Sequence, residues 1–282
     1  MPTTIGNPRR DRLLIIYLCF FVSGLAGLIY QVLWNKYLAL FIGSTGPAHV
    51  MTLAVFMGGL ALGSAVFGAR ADRTRNPLRL YILLELGIGL FGLAYPLLFG
   101  PYRAGFIAFA RALGLSASGL MAAKLVFCGL TILVPTFLMG GTLPVLGRYI
   151  VNNLAQVGPR VATLYYVNTF GAFFGCLLAG FLMIPEYGLR VSMAMAAGLN
   201  FAVCILASLL FQEKYRMAST DESWAEETEG KREPAPPPTL YPAVMRTAVL
   251  VTIGISGFVA MMYEVAFIRL LTLVLGASTY SF

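Results

Sequence analysis

"GLAGLIYQVLWNKYLALFIGST", Gly24 to Thr45, is long and apolar enough to cross a membrane, yet it carries Gln31, Asn35 and Lys36 in its middle. A charge at the centre of a membrane helix costs at least about 2.5–3.5 kcal/mol. Such residues are kept where they face a bundle interior, pair with one another, or reach the interface. The stretch has a relative late in the chain, "GFVAMMYEVAFIRLLTLVLGAS", Gly257 to Ser278.

The two copies align at an offset of 256 − 23 = 233. Ser23 then meets Ser256, Gly24 meets Gly257, Tyr30 meets Tyr263 and Gly43 meets Gly276. The exchanges Gln31/Glu264, Trp34/Phe267 and Lys36/Arg269 keep chemical character. Leu and Val matches between apolar helices carry little weight. The ordered series Ser-Gly, Tyr, amide or acid, aromatic, base, Gly points to an internal duplication.

The rest of the chain fits a polytopic membrane protein. It is 59% hydrophobic and 11% charged, with a mean hydropathy of +0.80, whereas soluble domains are about 25% charged. Runs of about 20 apolar residues span the hydrocarbon core as helices. Seven are predicted: 12–42, 47–69, 78–99, 120–147, 161–184, 188–211 and 243 to the end. Helices are expected because backbone groups in lipid must be satisfied internally. The fold class is all-α, a polytopic transmembrane helical bundle.

The net charge of +8 comes from basic residues standing mainly between apolar runs, where they set topology. It does not point to a nucleic-acid partner; the lipid bilayer is the expected one. With the N-terminus inside, 14 of the 20 Lys and Arg fall in cytoplasmic segments. The other six are Lys36, Arg103, Arg111, Lys124, Arg190 and Arg269. This bias predicts a multi-pass protein of the cell's inner (plasma) membrane with a cytoplasmic N-terminus.

Residues 212–242 are charged and Pro-rich without an apolar face, so a disordered cytoplasmic linker is expected there. They separate a six-helix block, 1–211, from 243–282. Residues 243–282 read as the first helix of a second repeat, in a chain cut short of a longer protein. In the loop after the third span, Phe106, Ile107, Phe109, Ala110 and Leu113 suit a short helix lying on the membrane surface.

Little in the sequence suggests enzyme chemistry. Cys19, Cys128, Cys176 and Cys204 lie in apolar runs with no CxxC pair, and His49 stands alone. No metal site, cofactor or catalytic residue is predicted. Gly140 and Gly141 lack the Lys-Ser/Thr of a phosphate loop. Gly59/Gly63 and Gly171/Gly175 have the spacing of close helix contacts. The in-membrane polar residues are Gln31, Asn35, Lys36, Glu85, Lys124, Asn168, Asn200, Glu264 and Arg269. All but Lys124 and Asn200 are candidates for a substrate or ion pathway. Lys124 is expected to snorkel. Gln31, Asn35 and Lys36, with Glu264 and Arg269, are expected at an interface between the two repeats. Glu85 reads either as a proton- or cation-handling group or as an interhelical hydrogen-bonding group.

The loop "GARADRTRNPLR" resembles the cytoplasmic signature loop of the major facilitator superfamily through Gly68, Asp72 and Arg73, although Arg75 stands near where a further Gly is usual. A copy six spans after its relative keeps the same orientation, which is the parallel arrangement of that superfamily's halves. The stretches "VFMGGLALGSAVFGARADR", "FLMGGTLPVLGRYIV" and "LYYVNTFGAFFGCLLAGFLMIPEYGLR", with the opening stretch, resemble the membrane region of bacterial fused proteins. Those join a major-facilitator-like bundle to a C-terminal spermidine synthase-like (polyamine aminopropyltransferase) domain.

The resemblance implies a major-facilitator-like six-helix half plus the first helix of a second repeat. It also implies partners in cis: further C-terminal helices and a soluble domain of the same protein. This chain would anchor or serve that aminopropyltransferase-like domain without containing its site. A major-facilitator-like transporter half for a small solute, cations included, and a non-transporting scaffold stay open as alternatives.

Overall fold

A computed structural model describes residues 8–43, 45–151, 157–218 and 242–276. Among them there is no strand, and helices account for nearly all. The helices are α1 (Pro8–Ile42), α2 (Thr45–Arg73), α3 (Pro77–Ala112), α4 (Ala117–Ile150), α5 (Val157–Leu178), α6 (Ile184–Ala218) and α7 (Ala243–Leu275). A π-helical turn, Ala179–Met183, continues α5 into α6. Six apolar helical stretches are long enough to cross a membrane. One of them, Val157–Gln212, has 56 residues, about twice what a bilayer needs.

That long stretch contains its own reversal. Gly188 has φ 70° and ψ 175°, a combination open in practice only to glycine. The contacts on either side show the turn. Gly171 packs on the Phe21 carbonyl and Gly175 on that of Leu25, so α5 runs parallel to α1. Asn200 meets Tyr30, while Arg190 and Cys204 lie within electrostatic reach of Tyr37 and Cys19. Numbers fall on one helix as they rise on the other, so α6 is antiparallel to α1. The predicted division into spans 161–184 and 188–211 is therefore present.

Other pairings have the same logic. Gly92 meets Tyr30 and Tyr95 meets Trp34 and Tyr37, making α3 parallel to α1. Gly129 meets Met51, Gly59 meets Thr136 and Gly141 meets Phe67, making α2 and α4 parallel. Leu138 lies on Gly87 and Phe127 on Tyr102, so α4 opposes α3. The six helices thus alternate in direction, and the start of α1 and the end of α6 share one end of the bundle.

The glycine pairs foreseen as contact points are used as such. A Cβ at Gly59 would strike Thr136, and one at Gly63 the Phe137 carbonyl. Backbones approach this closely only where side chains are small. One end of the core joins Phe20, Leu78, Tyr81, Leu146 and Val203 from four helices.

Two expectations are corrected. No separate surface helix follows the third span, because α3 continues through Pro96 and Pro101 to Ala112. Packing carries it: Phe106 is buried against Phe41 and Phe127, and the Tyr102 hydroxyl donates to the Phe127 carbonyl. Residues 212–218 belong to α6 rather than to a linker; of the remainder, 219–241 lies outside the described residues and Pro242 stands at the start of α7.

The helix α7 belongs to a second unit of the chain. Two local features of α7 correspond to features of α1. Tyr263 stacks on Phe267 as Tyr30 stacks on Trp34. Gly276 follows α7 with φ 74°, and Gly43 follows α1 with φ 86°, positive values that favour glycine. All three pairs keep the offset of 233.

Candidate functional site

Glu85 lies eight residues after Pro77, about 12 Å along α3, and is completely buried. Ser23 Oγ of α1 donates to its Oε1 at 2.6 Å. Asn200 Nδ2 of α6 donates to its Oε2 at 2.7 Å. Asn200 is held in turn by the Tyr30 hydroxyl, which donates to its Oδ1 at 3.0 Å. One carboxyl thus joins three helices. Among the described residues, the groups acting on it are Ser23, Asn200 and Tyr81, with no cationic side chain.

The sequence of α3 makes room for this cluster. Tyr81, Glu85, Gly89 and Gly92 follow one another at helical spacing and share its buried face. A Cβ at Gly92 would run into the Tyr30 hydroxyl, and one at Gly89 would press on Asn200 and Phe201. Tyr30 is held from its other side by Trp34, at a ring separation of 5.1 Å. An aromatic column then leads away from the carboxyl through Trp34, Tyr95, Tyr37 and Phe99. Along it, Trp34 Nε1 and the Tyr37 hydroxyl are buried without a hydrogen-bond partner, as is Asn35 Oδ1.

The other candidates are distributed differently. Gln31 and Asn35 are buried inside the first unit and Lys36 is half-buried. Asn168 stands at the α1–α5 crossing, where its carbonyl and side chain close over Gly24. Glu264 and Arg269 are on α7, half-buried and exposed respectively. Asp72 of the signature loop approaches Arg148, in the last turn of α4, at 3.9 Å. Both are more than half exposed, so the pair adds little stability. Gly68 faces Pro144 at an ordinary contact distance and Arg73 is exposed. Lys124 Nζ donates to the Ile42 carbonyl at 3.1 Å, capping α1.

Sequence reasoning isolated Glu85 but did not connect it to Ser23, Tyr30, Tyr81 or Asn200. One signal was available: Tyr81, Glu85, Gly89 and Gly92 keep a polar and small-residue stripe on an otherwise apolar helix. Among the described residues, no group of His, Cys, Asp and Glu is arranged to hold a metal. Comparison with protein-family models, with curated proteins and with solved structures finds no match for this chain.

Proposed function

We propose that this chain is the transporter-like membrane domain of a fused spermidine synthase-like protein, and that Glu85 holds a proton or a small cation within it. The observation that carries this reading is a completely buried carboxyl, held by neutral donors, with no cationic partner among the described residues. A carboxylate removed from water without a counter-charge costs several kcal/mol. Neutrality at this depth is reached by taking up a proton or receiving a cation. The aromatic column suits a cation, since ring faces attract it. The fused-protein setting rests on the resemblance of the membrane segments and makes a diamine the natural probe.

A second reading has its own support: both oxygens of Glu85 already accept hydrogen bonds, as in a clamp joining α1, α3 and α6. Equilibrium binding of radiolabelled putrescine to the purified full chain separates the two. Saturable binding that Glu85→Gln abolishes is expected. No binding, or equal binding by Glu85→Gln, contradicts the cation site.

A further inference from the structure

We propose that the end of the bundle opposite the N-terminus carries a binding site for an anionic phospholipid. A cavity of about 520 Å³ opens there between the ends of α1 and α3 and the start of α4. This volume is within the range of sites for small amphiphilic ligands. Its walls are apolar, chiefly Phe41, Phe106, Leu115 and Leu120, and its charged lining residues are Arg103, Arg111 and Lys124. Among the described residues, no acidic side chain lines it.

The arrangement follows from the overrun of α3. Its 36 residues make about 54 Å of helix, well beyond a core of about 30 Å. The last turns therefore reach headgroup level. Aromatic rings cluster just below: Phe99 and Tyr102 pack with Phe41, and Phe127 stacks on Tyr102, the belt expected where hydrocarbon meets water. Beyond it, Arg103, Ile107 and Arg111 stand at i, i+4 and i+8 on one face. Arg103 and Arg111 are exposed, and a guanidinium offers the paired donors that fit a phosphate. Lys124 spends one donor on the Ile42 carbonyl and has three in all.

Positive charge at the rim and apolar walls beneath match a lipid with a charged headgroup and acyl chains better than they match a soluble anion. Leu40, 68% exposed, extends the apolar wall outward from the cleft, where an acyl chain would run.

Native mass spectrometry of the purified full chain tests this, with dioleoylphosphatidylglycerol or dioleoylphosphatidylcholine added in equal amounts. A clear preference for phosphatidylglycerol is expected. Arg103→Gln/Arg111→Gln should lower its affinity at least about tenfold. Arg75→Gln/Arg79→Gln, at the opposite end of the bundle, should leave it unchanged. Equal binding of the two lipids by the unaltered chain overturns the proposal whatever the variants do. Unchanged binding by the cleft variant also overturns it. Competition by soluble glycerol 1-phosphate at the same concentration would reassign the cleft to a free anion.

Discussion

At the scale of single residues, the Glu85 cluster predicts different results from two similar substitutions. Glu85→Gln keeps the shape and can still accept from Asn200 while its amide donates to Ser23 Oγ. Glu85→Ala leaves the Asn200 amide and the Ser23 hydroxyl unpaired in a new cavity. The Ala variant should therefore lose about 2–4 kcal/mol, and the Gln variant should stay within about 1 kcal/mol of the parent. Thermal unfolding in one detergent measures both. Equal losses would mean that the carboxylate charge itself holds the helices together. Glu85 was legible in the sequence as a carboxyl deep in an apolar run. Its partners were not, because Ser23 and Asn200 lie 62 and 115 positions away and hydrophobic periodicity fixes no contact between helices.

Among the helices, glycine placement decides how closely backbones approach. Gly171 has the Phe21 carbonyl where a Cβ would go, and backbone atoms cannot step aside as a side-chain end can. Gly171→Ala should push α1 and α5 apart and cost about 1–3 kcal/mol. Gly198 on α6 has nothing near its Cβ position, so Gly198→Ala should be neutral or stabilising by up to about 1 kcal/mol. The same unfolding assay compares them, and equal effects would refute the α1–α5 register. The Gly171/Gly175 spacing showed in the sequence as a packing motif, and the break between the fifth and sixth spans was placed within a few residues of Gly188. The end of α3 was not. Pro96, Pro101 and two arginines read as a loop, because the buried contacts of Phe106 with Phe41 and Phe127 that carry the helix onward are tertiary.

For the whole molecule, alternating helices place the turns after α2 and after α3 at opposite ends. In the proposed orientation, Ser116→Cys reacts with a membrane-impermeant maleimide in intact cells and Arg75→Cys does not. The natural cysteines lie within the spans. The reverse pattern would invert the protein in the membrane, and labelling of both positions would refute the alternation. What such a bundle does depends on whether its buried carboxyl exchanges what neutralises it. The most direct test is carbodiimide modification of the purified full chain in lipid, with the modified residue mapped by mass spectrometry. Carbodiimides attack carboxyls that carry a proton. Modification at Glu85 that slows as putrescine is added, and that is absent from Glu85→Gln, is expected. No modification at Glu85, or a rate that putrescine leaves unchanged, would contradict it and leave the carboxyl a structural clamp.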